Sequence, residues 1–331
     1  MTLRTLGSTK LQVSPIGIGL AALGRPGYIN IGHGEDLGQN YEIPAMEAHA
    51  HRVLDAAFEA GIRYFDAARS YGQSEMFLQS WLSTQNKPSE SFVIGSKWGY
   101  RYTADWQIDA ESHEIKEHSV QQLHTQWHES QEILGDQIDL YQIHSATLES
   151  GVLTNTGVLQ ELAYMKERGV SIGLTTSGPK QSRVIELAIA KTIDGVRLFD
   201  CVQSTWNLLE RSAGNALEKA HAAGLGVIVK EALANGRLTE RGLQSSQEPN
   251  MGNLASEAQR LDTSIDGLAL AAVLANPWVD VVLSGASTPE HLRSNLTALD
   301  ITINEETEQN LSGLTEEVET YWSLRSALPW N

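Results

Sequence analysis

IDLYQIH (138–144), GVLQELAYMKERG (157–169) and VSIGLTT (170–176) follow one another along the chain, and their reading decides the fold. The outer two are short, β-branched and almost continuously apolar, as strands buried on both faces of a parallel sheet must be. The middle one repeats its apolar residues every three to four positions and ends on Gly169, the pattern of a helix facing a core and stopping at a glycine. Strand, helix and strand in that order make a βαβ unit. The alternation continues both ways. Upstream lie SPIGIG (14–19), IRYFDA (62–67) and SFVIGSK (91–97); downstream lie FDCVQ (199–203), LGVIVK (225–230) and VDVVLSG (279–285). Helical patterns separate them, among them MEAHAHRVLDAAFEAG (46–61), SEMFLQSWLS (74–83), HSVQQLHTQWHESQEILG (118–135) and NALEKAHAAG (215–224), with Gly61, Gly135 and Gly224 as further stops.

Eight such units predict an α/β fold closed as a (β/α)8 TIM barrel, with a doubly wound open sheet as the alternative. One such barrel can account for all of 1–331 as a single domain. Ahead of the first barrel strand, LRTLG and LQVSP flank Ser8, Thr9 and Lys10 as an N-terminal hairpin placed to plug the bottom. Four segments exceed a minimal barrel: 24–44, 98–111, 235–252 and a tail from about 300. The first three follow strands one, three and seven and so rise from the C-terminal face, where barrels place their chemistry.

Composition narrows the function. A formal charge of -17 disfavours nucleic acid as a partner, because phosphate backbones are bound chiefly by Lys and Arg. No apolar run reaches bilayer length and the first ten residues lack a signal-peptide core, which predicts a cytoplasmic protein with no membrane partner. Cys201 is the only cysteine, so no internal disulfide and no thiolate metal cluster is expected. The sequence sets no oligomeric state.

The strand ends carry the chemistry: Asp66 and Tyr71 in YFDAARSYG, Lys97 in GSKWG and His144 in YQIHS. Reducing a carbonyl needs a proton donor for the developing alkoxide, and a phenol with a pKa near 10 needs a cation to tune it. Lys97 is expected to lower the Tyr71 pKa, Asp66 to hold Lys97, and His144 to hydrogen-bond the carbonyl oxygen. None of these roles requires a metal.

Asp, Tyr, Lys and His on successive strand ends resemble the catalytic tetrad of the aldo-keto reductase superfamily. The likeness extends through IGLTT, VQSTWNLLE, GVIVKEALANGRL and LSGASTPEHLRSN, and so over essentially the whole chain. It implies a nicotinamide-dependent oxidoreductase that interconverts an aldehyde, ketone or sugar and its alcohol. NADPH is the expected cofactor, with NADH as the alternative, bound across the rim without a Rossmann fingerprint. Gln203 matches the family's carboxamide-binding glutamine. Gly19, Thr175, Thr176 and Lys230 fall on further strand ends of the cofactor site; Gly285, Ser287, His291, Arg293 and Asn295 fall at the adenosine end, beside a helix starting near Pro289. Trp98 and Trp206 are expected to wall the substrate pocket.

Three positions depart from the family pattern. Thr175 and Thr176 replace a Ser-Asn pair, Lys230-Glu231 stands where an aromatic residue usually stacks on the nicotinamide, and His291 occupies the place of an arginine used against the 2'-phosphate. Two other functions remain open: a cofactor-binding regulatory or redox-sensing subunit with little turnover, and a Schiff-base lyase using Lys97. His124 and His128, four apart, read as a solvated helix face rather than a metal pair. His49 and His51, two apart, read as surface. EETEQNLSGLTEEVE (305–319) reads as one amphipathic helix with a solvated face.

Overall fold

The computed structural model describes residues 1–85, 87–245 and 251–331; positions 246–250 of the segment 235–252 therefore lie outside the described residues. Eight parallel strands close into a barrel: β1 (Ile16–Gly19), β2 (Tyr64–Asp66), β3 (Val93–Trp98), β4 (Leu140–Ala146), β5 (Ser171–Thr176), β6 (Cys201–Thr205), β7 (Gly226–Lys230) and β8 (Val281–Ser284). Each pairs with its sequence neighbour, and β8 closes on β1 through Val282↔Ile16 and Ser284↔Ile18. The open sheet is thereby excluded. Helices alternate with the strands because one face of each carries the apolar residues: Val53, Leu54 and Ala57 of Ile43–Glu59 and Val158, Leu162 and Met165 of Thr156–Glu167 are buried against the barrel.

The N-terminal hairpin forms as read, Arg4–Thr5 against Gln12–Val13. Its Leu6, fully buried, packs with Tyr64, Val93, Leu140, Cys201, Ile228 and Val281 and seals the barrel floor. Gly226 makes that seal possible, since a Cβ there would come within 2.6 Å of Leu6 Cγ.

Two elements differ from the reading. The segment 98–111 belongs to a second hairpin, Tyr100–Tyr102 paired with Glu114–Lys116; strands of three residues are too short to show a period. The acidic tail is not one helix. It breaks after Glu305–Ser312 and resumes at Val318–Ser326. Between them Glu316 pairs with Arg237 and its backbone N–H donates to Leu209 O, while Leu311 and Leu314 are buried, so this face is docked rather than solvated.

Candidate active site

β2, β3 and β4 end side by side, which brings Asp66, Lys97 and His144 to one rim. Lys97 Nζ lies 2.6 Å from Asp66 Oδ2 and donates to Ala67 O at 2.8 Å; both side chains are buried. The remaining lone pairs of Asp66 accept from Tyr64 OH at 2.8 Å, Gln142 Nε2 at 3.1 Å and Gln203 Nε2 at 3.3 Å. A buried ion pair is stable only when so satisfied. Tyr71 lies five residues beyond Asp66, on a turn pinned by Arg69 N–H to Lys97 O and by Gln73 N–H to Gly24 O. Gly72 (φ 58°) and Gly24 let that turn rest on the loop after β1: a Cβ on either would come within 2.5 Å of the other's backbone or of Tyr71 O. The phenol is thereby set with its OH 3.3 Å from His144 Nε2 and its ring 4.8 Å from Lys97 Nζ.

His144 sits on an irregularity. The β4–β5 register shifts between Ile143 and Ala146, and Ser145 has φ 52°. Such bulges re-aim side chains at barrel rims. Thr175 holds this one, its Oγ1 accepting from Ser145 N–H at 2.7 Å. Burial, reinforced by Lys97, Lys230 and Arg25, keeps the His144 pKa well below the usual histidine value, so the ring is neutral. Ser70 Oγ lies 3.3 Å from Nδ1 and the Tyr71 hydroxyl 3.3 Å from Nε2; with Ser70 as donor the ring proton sits on Nε2, facing Tyr71.

Tyr71 departs from expectation. Burial and the Asp66 charge raise its pKa well above 10, opposed by the Arg25 guanidinium. Sequence reading missed Arg25. Its guanidinium, buried, stacks 5.0 Å from the Tyr71 ring, 5.1 Å from Tyr28 and 4.7 Å from Trp330, and pairs with Glu114 at 3.0 Å. No period or motif marks it, because apart from Tyr28 its side-chain partners lie 45 to 305 residues away.

A cavity of about 450 Å³ runs along the rim from Asp66, Tyr71 and His144 past Gln203 and Lys230 to Asn295. Gly19, Gly285, Ser287 and His291 also line it. The other expected residues do not. Thr175 and Thr176 are fully buried beneath the rim, Thr176 bonded to Ser204 Oγ at 2.8 Å. Arg293 points out, its side chain 67% exposed and paired with Glu290. Trp98 is buried against His118, and Trp206 against Trp278. The aromatic walls come instead from Tyr28, Tyr100 and Trp330, the last arriving from the tail and stacked on His113 at 3.9 Å. Lys230 donates to Thr205 Oγ1 at 3.0 Å; against the upward push of burial, Arg325 and Lys230 hold its neighbour Glu231 down at about 2. His49 is not a bare surface residue, since its ring bonds Ser287 O, and His51 meets Ser80 Oγ at 2.9 Å. His124 and His128 lie exposed beside Glu161 and Glu132.

The cleft suits an extended dinucleotide. Buried Asn235 Oδ1 and Arg25 Nε, on residues lining it, have no hydrogen-bond partner among the described residues. A Cβ on Gly285 would meet nothing closer than Asn30 Nδ2 at 3.9 Å, which leaves that backbone open to a ligand. Gln203 at one end, and Gly285, Ser287 and Asn295 at the other, could hold its two halves. Lys97 is no candidate for Schiff-base chemistry, being ion-paired and behind the cavity wall.

Comparison with known proteins agrees with this geometry. D-threo-aldose 1-dehydrogenase of a Pseudomonas species is 28% identical over 88% of this chain and 87% of its own length. L-galactose dehydrogenase of Arabidopsis thaliana is 26% identical over 96% of this chain and 95% of its own. A solved aldo-keto reductase from Bacillus halodurans, in its holo form, superposes with a TM-score of 0.72 over 96% of this chain and 97% of its own, at 22% identity, and so shares the fold. The sequence model of the aldo/keto reductase family matches residues 15–316, and the chain belongs to that family of nicotinamide-dependent oxidoreductases.

Proposed function

We propose that this protein interconverts a small aldehyde, ketone or sugar and the corresponding alcohol by hydride exchange with a nicotinamide dinucleotide, with Tyr71 as general acid and base. The observation that carries the reading is the pairing of Tyr71 OH and His144 Nε2, 3.3 Å apart on the cavity wall, with Lys97–Asp66 buried behind them. A bound reduced nicotinamide supplies the hydride. Tyr71, its pKa raised, is fully protonated at neutral pH and gives its proton to the carbonyl oxygen. Neutral His144 donates Nε2–H to the same oxygen and so orients it. In the oxidative direction Tyr71 must accept a proton, and Arg25, over its ring, is the cation that eases formation of the phenolate. Gln203, whose Nε2 faces Asp66, lines the cavity where its amide would meet a carboxamide.

A sugar is the favoured substrate. The cavity mouth mixes aromatic faces with charged pairs, Tyr28, Tyr100 and Trp330 beside Arg25–Glu114 and Arg325–Glu231, which suits a polyhydroxylated ring. Two of the relatives are named as aldose dehydrogenases. Buried, unpaired Cys201 accords with a reducing cytoplasm. The family resemblance favours NADPH; the groups around Asp36 favour NADH.

Tyr71→Phe tests the mechanism. Aldehyde reduction should fall by about 10²- to 10⁴-fold while dinucleotide affinity stays unchanged, as measured by steady-state kinetics beside equilibrium titration. Undiminished turnover would sink the Tyr71 assignment. Dinucleotide binding by the wild type without turnover on any aldehyde or aldose would mark a binding subunit instead.

A further inference from the structure

We infer that Asp36 selects NAD(H) over NADP(H), an inference that rests on dinucleotide binding in the cleft just described. Asp36 closes the short helix His33–Asp36 in the long loop after β1, and its carboxylate is turned inward, 8% exposed. Oδ2 accepts from Ser287 Oγ at 2.6 Å and lies 3.6 Å from His291 Nδ1; Oδ1 lies 2.6 Å from Arg241 Nη1. All four residues line the same cavity as Gly285 and Asn295, at the end where β8 gives way to the helix Pro289–Leu296.

The donors that a phosphate monoester would need at this end are a hydroxyl, an imidazole and a guanidinium. The hydroxyl and the guanidinium are directed at Asp36, and the imidazole backs the hydroxyl, its Nδ1 lying 3.3 Å from Ser287 Oγ. A 2'-phosphate, carrying about -1.5 to -2 charge at neutral pH, would have to displace a carboxylate hydrogen-bonded by Ser287 and Arg241 or lie against it. Asp266, also in the lining, adds negative charge, and Arg293, the cation that the sequence suggested, is turned away on Glu290. A ribose bearing a free 2'-hydroxyl meets the opposite situation, because it can donate to a carboxylate already held in place. Asp36 thus acts as an internal anion in a phosphate-shaped setting, repelling one dinucleotide and bonding the other.

Calorimetric titration of the full-length protein with NADH and with NADPH, at fixed ionic strength, tests this without recourse to turnover. The wild type should bind NADH at least about tenfold more tightly, and Asp36→Asn, which keeps the shape but not the charge, should shift the affinity ratio about tenfold towards NADPH. Should that variant fail to fold, the wild type alone decides: added potassium chloride should narrow the NADH preference, because screening weakens the repulsion acting on NADPH only. Tighter NADPH binding by the wild type, an unmoved ratio in Asp36→Asn, or a preference indifferent to salt would overturn the role of Asp36 while leaving the oxidoreductase reading intact. Failure of both dinucleotides to bind would instead overturn that reading, and this inference with it.

Discussion

The tetrad end of the cleft is made of strand ends, and the Asp36 end is made of loops. At the first, Asp66, Lys97 and His144 inherit their positions from the β2–β3–β4 register, each one fixed by neighbours that are themselves buried. At the second, Asp36, Arg241 and Ser287 come from three segments above the strands, more than 200 or 40 residues apart, and side-chain bonds join them. A barrel can therefore keep its chemistry fixed and vary its recognition, because the first is part of the core and the second is laid on top of it. Substitutions at the strand-built end should cost stability and turnover together; those at the loop-built end should change affinity and leave the fold alone.

Lys97→Met puts the largest strain on that contrast. It strands the Asp66 carboxylate in the core with only neutral donors, Tyr64, Gln142 and Gln203, which should cost about 3–5 kcal/mol of stability in denaturant unfolding and abolish measurable turnover. An unchanged unfolding midpoint would mean that the pair is not part of the core's stability and that the contrast fails at its firmest point.

Legibility in the sequence follows the same division. The strands were readable because burial on both faces leaves an apolar run, and the tetrad because chemistry-bearing residues stood at the ends of those runs. Trp98 and Trp206 misled for the same reason. Trp98 ends β3 and Trp206 directly follows β6, and each ring turns away from the cleft, a choice made by side-chain packing against His118 and Trp278 that no local pattern records. Arg293 was one helical position from being right; its neighbour Glu290, three residues earlier, captures it on the outer face. Arg25, Asp36 and Arg241 left no signal, because each is defined by a partner far along the chain. Thr175 shows a middle case: it departs from the family pattern, yet its hydroxyl serves the bulge that aims His144 rather than the cleft itself.

A smaller effect tests the joint between the two ends. His118 follows the hairpin strand Glu114–Lys116, and its Nε2 lies 2.9 Å from His144 O. Burial, aided by Lys116 and opposed by that hydrogen bond, lowers its pKa to about 4. A histidine whose folded pKa lies below its unfolded value stabilises the fold above pH 6.5, and this contribution is lost as pH falls from 6.5 towards 4. Buried His33, also near 4, adds to the loss, whereas Asp139, raised by burial to about 6, opposes it. His118→Phe should therefore flatten, not erase, the decline in unfolding free energy over that window, recovering up to about 3 kcal/mol at pH 4 relative to pH 7. Parallel curves for variant and wild type would show that His118 is not held neutral by the fold.

Trp330→Ala should have the smallest effect and sharpens the contrast most. The ring lies over Arg25 at 4.7 Å and flat on His113, closing the cavity mouth without touching the tetrad. Losing a stacking face for a substrate ring is worth about 1.4 kcal/mol, so KM for an aldose should rise about tenfold with kcat nearly unchanged, while the lost Arg25 cation–π contact should lower stability by about 1 kcal/mol or less. A fall in kcat of the same size would carry a different meaning. Trp330 reaches the chemistry only through Arg25, whose guanidinium is shared between the Trp330 and Tyr71 rings and is the cation opposing the rise in the Tyr71 pKa. A drop confined to the oxidative direction, where Tyr71 must become a phenolate, would show that the loop-built end also sets the acidity of the strand-built one.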